Sequence, residues 1–369
     1  MERRDVFKSI AAAGLLAGAS AARAQTEAVP DVGGVPLPLP QLRDPGQLRG
    51  EMLYRPFGAT GQTVSAIGFG GSHFAKPGIA EAESIRLCHQ AVDRGITFMD
   101  NSWDYNKGDS EVRMGNALSQ GGYRDKVFLM TKVDGRTAQS ARQQLDDSLR
   151  RLKTDHVELW QFHEILRFDD PDRIFAKGGA IEVAQQARQA GKIRWIGYTG
   201  HKDPHIHLYM LEVAARNGFG FDAVLFPSNV MDAHFRSFSR TFMPRAVSEN
   251  LAIQTMKPFG GADGVILKSG AQVQPVECLH YALNLPTSVV ITGIDNQRAL
   301  DGAFDAAKTF KPLSQAELDN LLARTAQAGA AGEYELFKTS AHFDTTARNA
   351  PWLGGESPTV ERLAPPNAG

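Results

Sequence analysis

GITFMDNSWDYN (95–106), VFLMTK (127–132) and HVELWQFH (156–163) are the stretches whose reading decides the fold. Each carries a short apolar run ending in a polar group: Asp100 with Tyr105 just beyond it, Lys132, and His163. Five more such runs complete a series, read as strands at 64–70, 96–100, 127–132, 157–163, 193–198, 222–226, 251–256 and 288–292. Between them apolar residues return at helical spacing, as at Ala141, Leu145, Leu149 and Leu152. Strands alternating with helices in this way predict an α/β fold, a (β/α)8 barrel.

In that fold the C-terminal strand ends share one rim, so residues distant in sequence converge there. Asp100, Tyr105, Lys132 and His163 then form a proton-transfer device. Lys132 beside Tyr105 is expected to favour the phenolate and lower its pKa, Asp100 to orient the lysine, and His163 to direct a substrate oxygen. Each residue alone has a plainer reading: a surface tyrosine, a charge marking a strand end, a satisfied core histidine. Their order as a set favours catalysis.

The 369 residues are 42% hydrophobic and 22% charged, with a formal net charge of −1. That balance suits a globular protein and offers no basic field for nucleic acid or anionic membrane. Cys88 and Cys278 are the two cysteines, too few for an iron–sulfur cluster or a cysteine-rich zinc site, and both read as buried thiols.

The chain divides into a leader at 1–24, a Pro/Gly-rich linker at 25–50, a barrel at 51–335 and an extended tail at 336–369. Arg3-Arg4, an apolar stretch over 10–22 and Ala22-Arg23-Ala24 read as a twin-arginine signal peptide cleaved after Ala24. This predicts a periplasmic protein that meets the twin-arginine translocation machinery and has no stable membrane insertion after cleavage. A helix is expected at 314–329.

The ordered words YRPFGATGQTVSAIGFGG (54–71), GITFMDNSWDYNKGDSEVRMGNAL (95–118), QLDDSLRRLKTDHVELWQFHE (144–164), GKIRWIGYTGH (191–201), TMKPFGG (255–261) and LPTSVVITGI (285–294) resemble the aldo-keto reductase superfamily. The resemblance implies a β-hairpin cap before the barrel and an extra helix after it. It further implies hydride transfer between NAD(P)H and the carbonyl of an aldehyde, ketone or sugar-like alcohol, with Tyr105 as proton donor or, in reverse, base. No G-x-G-x-x-G follows the first strand, as suits a family that binds its nucleotide on barrel loops.

On the same resemblance the cofactor, NADP(H) or NAD(H), would meet Gly71, Ser72, Asp100, Thr199, Gly200, His201, Asn229, Met256, Lys257, Gly260, Gly293, Asp295 and Arg298. Met256 replaces an aromatic that often stacks on the nicotinamide, and Lys257 with Gly260 suits a pyrophosphate. Gly200 stands where an asparagine is common, so His201 is expected to supply the missing donor. Asp295 would repel a 2′-phosphate and accept from a ribose hydroxyl, whereas Arg298 would reverse that preference. Trp103, Phe74 and Trp195 are candidate pocket walls. No metal is expected, and His201, His205 and His207 read as solvated or cofactor-adjacent. The rival readings are a non-catalytic binding module on the same scaffold and a Schiff-base lyase using Lys132.

Overall fold

Side chains alternate in and out along a strand, and that parity places the site. The computed structural model describes residues 37–363. An antiparallel sheet comes first, of β1 (Gln47–Arg49), β2 (Met52–Pro56) and β3 (Thr63–Ser65). Eight parallel strands follow: β4 (Ile67–Gly70), β5 (Phe98–Asp100), β6 (Phe128–Val133), β7 (Val157–Phe162), β8 (Ile193–Thr199), β9 (Ala223–Pro227), β10 (Ala252–Met256) and β11 (Val289–Gly293). They close in the order β10-β11-β4-β5-β6-β7-β8-β9 with helices outside, a (β/α)8 barrel.

The sequence reading differs in three places. The run 64–70 is two strands, because β3 turns away to pair with β2 while β4 joins the barrel. The linker at 25–50 already contains β1, which pairs with β2. The tail at 336–369 is not extended: among the described residues it folds into short helices at Leu336–Thr339, Thr345–Arg348 and Pro358–Leu363. Residues 1–36, with the leader and Arg3-Arg4, and residues 364–369 lie outside the described part. The helix expected at 314–329 is present as Gln315–Gly329, started by a Ser314–Glu317 capping box.

Phe98, Phe128, Met130, Leu159 and Val289 belong to an inner core distinct from the larger layer between strands and helices. At its foot Phe57, from the hairpin, meets Phe98 and Phe128 at ring distances of 5.6 and 4.8 Å, and Trp195 stacks on Phe128 at 5.5 Å. Trp195 thus closes the far end of the barrel and is no wall of the site. Two residues on from Phe98 is Asp100, two on from Met130 is Lys132, and four on from Leu159 is His163. Equal parity carries each of them inward at the C-terminal rim.

Candidate active site

Lys132 is the hub. Its side chain is 1% exposed, and its Nζ forms a short ion pair with Asp100. The same ammonium donates to the Asn101 carbonyl at 2.7 Å and to the Tyr105 hydroxyl at 3.1 Å. His163 meets the Tyr105 ring edge-on at 5.7 Å between centroids. The structure therefore brings the four predicted residues to one place.

Tyr105 departs from expectation in one respect. Its phenol is held well above the ordinary tyrosine value, first by burial and then by the charges of Asp100, Asp104, Glu164 and Asp134. Lys132 does not prevail because Asp100 already compensates its charge. A phenol kept protonated is a donor in waiting.

The loop that carries Tyr105 is held in an uncommon shape. Asn106, Lys107 and Gly108 follow it with φ of 52°, 59° and 95°, three left-handed residues in a row. Asn106 donates to the Ser72 carbonyl at 3.1 Å. Arg151 donates to the Trp103 carbonyl at 2.9 Å and pairs with buried Glu111 at 3.2 Å. A Cβ on Gly108 would lie 2.6 Å from the Arg151 guanidinium carbon and displace that side chain, and the left-handed φ is what favours glycine there.

Sequence reasoning missed the shell around His163. Its Nδ1 lies 2.8 Å from Asp134 Oδ1, 3.2 Å from Ser102 Oγ and 3.4 Å from Asp104 Oδ1. Burial opposes charge on this ring, but the two aspartates outweigh it and raise His163 to about 10. Asp134 is itself pushed up to about 6 by burial and by Asp104. Parity was the available signal, since Asp134 follows Lys132 by two residues. Asp104, Asp134 and His163 also form a three-ligand group that could hold a metal ion. Behind them Arg136, buried, donates to the carbonyls of Asp134, His163 and Glu164 at 2.9, 2.8 and 2.9 Å and pairs with Asp170 at 3.1 Å.

A cavity of about 550 Å³ opens over these groups. Of the predicted cofactor contacts Ser72, Asp100, Thr199, His201, Met256, Lys257, Gly293 and Asp295 line it. Gly71, Gly200, Asn229, Gly260 and Arg298 do not. A Cβ at Gly71, Gly200 or Gly260 would meet the carbonyl oxygens of Asp100, Ile165 or Tyr334 at 2.3, 2.4 or 2.8 Å, so these glycines serve packing. Asn229 spends its amide on Glu335, at 3.1 Å, and on the backbone of Met231, at 2.8 Å. Arg298 is exposed in the first turn of the helix Gln297–Thr309. His201 lines the cavity but is engaged at 3.2 Å by Asp344 of the tail. Phe74 is buried against Phe69, and Trp103 packs on Trp352 of the tail.

That tail crosses the rim. Glu164 accepts from the backbone of Thr345 and Thr346 at 3.0 and 2.7 Å, Lys202 pairs with Asp344 at 3.0 Å, and Arg136 donates its own N–H to the Trp352 carbonyl at 2.9 Å. His342, Phe343, Thr345 and Arg348 consequently form part of the cavity wall.

The residues fit a nucleotide carrying phosphates. Lys257 lines the cavity, lies 5.6 and 5.8 Å from the rings of Phe337 and Phe343, and has no carboxylate within ion-pair distance among the described residues. Burial lowers its ammonium to about 8, and a phosphate beside it would favour the charged form. Asp295 meets Lys76 at 3.9 Å, which tempers the repulsion expected of its carboxylate.

Residues 66–272 match the sequence profile of the Aldo/keto reductase family. An uncharacterized oxidoreductase, YrpG of Bacillus subtilis, is 29% identical over 241 residues, 60% of this chain and 71% of that protein. The 6-dehydroglucose reductase of Novosphingobium aromaticivorans is 28% identical over 224 residues, 56% of this chain and 69% of that one. The aldo-keto reductase AKR11C1 from Bacillus halodurans, solved in a holo form, shares the fold with a TM-score of 0.62 at 20% identity, across 77% of this chain and 99% of that one.

Proposed function

This chain belongs to the aldo/keto reductase family and is an NAD(P)-dependent oxidoreductase, and from that premise we propose that Tyr105 gives the proton in reduction of a sugar-like aldehyde or ketone. A bound nicotinamide nucleotide supplies the hydride. The observation that carries the reading is the Lys132 ammonium placed between Asp100 and the Tyr105 hydroxyl, 3.1 Å from that hydroxyl. Lys132 and His163 offer positive charge and hydrogen bonds where the carbonyl oxygen becomes an alkoxide. Asp100 pairs with Lys132 inside the barrel and orients it toward the Tyr105 hydroxyl. Lys257, Ser72, Thr199 and Gly293 are positioned to hold the nucleotide. A polyol substrate is supported by the many donors and acceptors on the cavity wall and by the activity named for the Novosphingobium relative.

Tyr105→Phe is the test. Turnover should fall by at least about a hundredfold, the scale of a general acid, while nucleotide binding measured by fluorescence stays near that of the wild type. Wild-type turnover in that variant would remove the assignment.

The same reading extends to export. Arg3-Arg4, the apolar stretch over 10–22 and the Ala22-Arg23-Ala24 site support passage through the twin-arginine machinery to the periplasm, folded and with nucleotide already bound. No helix among the described residues is long and apolar enough to cross a membrane. Changing Arg3-Arg4 to Lys-Lys should retain the precursor in the cytoplasm, and mature protein beginning near Gln25 should contain nucleotide after desalting. Unimpeded export of the Lys-Lys variant, or empty mature protein, refutes this part.

A further inference from the structure

The lysines around the cavity differ in what holds them. Lys132 is 1% exposed and gives its N–H groups to Asp100, to the Asn101 carbonyl at 2.7 Å and to the Tyr105 hydroxyl at 3.1 Å. Lys76 meets Asp295 at 3.9 Å. Lys257 has no carboxylate within ion-pair distance among the described residues, and its Nζ reaches the Met256 sulfur, a weak acceptor, at 3.5 Å. Phe337 and Phe343 lie 5.6 and 5.8 Å from that nitrogen, and Phe259 adds to the apolar wall.

The backbone at this position is uncommon too. Lys257 holds a φ of 58°, a left-handed conformation that glycine or asparagine ordinarily occupies. Its carbonyl accepts from Gly260 N at 2.9 Å and from Asn229 Nδ2 at 3.4 Å, which fixes the turn. A long amine kept there against that preference marks a place where the side chain itself is used.

We propose that Lys257 is an aldehyde-reactive site: without nucleotide its amine captures a sugar-like aldehyde as an imine, and a bound nucleotide prevents this by pairing a phosphate with the ammonium. The proposal rests on the reductase reading above, which brings aldehyde and nucleotide into this one cavity.

A lysine desolvated among apolar groups and near another cation is an activated nucleophile. Burial is the largest influence on Lys257, Lys132 acts in the same direction, and Glu164 and Asp100 oppose them, which leaves the ammonium at about 8. The other carboxylates of the rim are engaged elsewhere: Asp104 by His163, Asp295 by Lys76, and Asp344 by His201 and Lys202. His342 and Arg348 face the cavity from the tail and bring no negative charge. About one chain in ten then carries the neutral amine at pH 7, roughly three-hundredfold more than an ordinary lysine offers.

The step balances, and nothing is oxidised or reduced. The Nζ lone pair bonds to the carbonyl carbon, the C–O π electrons move to oxygen, and that oxygen takes a proton from nitrogen. The hydroxyl then takes up a second proton and leaves as water while the nitrogen lone pair forms C=N. The remaining N–H proton returns to solvent.

The experiment treats full-length protein with glyceraldehyde and cyanoborohydride, which reduces imines and spares aldehydes. One sample has had its nucleotide removed on charcoal, and another holds NAD+ and NADP+ in excess. Peptide mass spectrometry locates the adducts. Lys257 should be labelled at least about tenfold more than any other lysine, and nucleotide should lower that label at least about tenfold while surface lysines are unchanged. Relative to surface lysines, its label should hold steady up to about pH 8 and fall above it, where its own amine is already neutral. After aldehyde treatment without nucleotide, the wild type should lose turnover in step with the label, whereas Lys257→Arg should keep the activity it started with. Label spread evenly over the lysines, or a Lys257 label indifferent to nucleotide, in protein that does reduce carbonyls, overturns the proposal alone. Label on Lys132 instead also overturns it and favours the Schiff-base lyase. A labelled and protected Lys257 in protein that reduces no carbonyl supports the imine site and overturns the reductase reading.

Discussion

Replacing Arg136 by methionine tests whether the rim is held from behind. The guanidinium pairs with Asp170 and satisfies the carbonyls of Asp134, His163 and Glu164, all in a buried setting. Removing one partner of a buried ion pair costs about 3–5 kcal/mol. Asp170 keeps donors from Leu166 N, Arg167 N and the Arg167 guanidinium, which places its share near the lower end, about 3 kcal/mol. Each of three orphaned carbonyls adds up to about 1 kcal/mol, reduced where the chain relaxes, so about 4–5 kcal/mol in total is expected. At about 0.7 kcal/mol/K of unfolding entropy for a folded body of this size, Tm should fall by roughly 6–7 °C. The assay is scanning calorimetry on Arg136→Met and wild type, with turnover at a temperature where both are folded. Turnover should fall as well, because the two carbonyls freed at 163 and 164 belong to the residue facing the substrate and to the residue capping the tail. A Tm within about 2 °C of the wild type would refute the reasoning, since it would mean that this network supports little.

Two other outcomes follow from the charges in the cavity. Lys257, lowered to about 8, loses its proton as pH rises through that value, so nucleotide affinity should decline between pH 7 and 9 in the wild type and be weaker but flat in Lys257→Met; parallel titration curves would remove Lys257 from the phosphate site. With Asp295 tempered by Lys76 and Arg298 outside the cavity wall, NADH and NADPH should bind with similar affinities in fluorescence titrations. A hundredfold preference for NADPH, about 2.7 kcal/mol, would show that a cation governs the 2′ position.

Apolar runs ending in a polar group made Asp100, Lys132 and His163 legible in sequence, because the C-terminal ends of parallel barrel strands share one rim. The ordered words around Tyr105 did the same for a loop residue whose own periodicity says nothing. What escaped depends on contacts between distant segments. The direction of the Tyr105 shift is set first by burial and then by carboxylates from several elements, and no single stretch displays their sum. Arg136 acts on backbone carbonyls, which are the same in every sequence. Gly71, Gly200 and Gly260 looked like cofactor glycines, but whether a missing Cβ faces a ligand or a neighbouring carbonyl is decided only by packing. The tail reads as small residues, prolines and glycines, yet Asp344 and Trp352 are ordered by partners on the rim, about which local propensity is silent.

The rings of Phe57, Phe98, Phe128 and Trp195 at the foot of the barrel have a kinetic consequence. They stopper one end, so substrate, product and nucleotide share the doorway at the opposite rim, beside the crossing tail. Molecules that share a doorway must queue. Whichever ligand sits deeper leaves last, and steady-state patterns should therefore be ordered, with the shallower ligand arriving second and departing first.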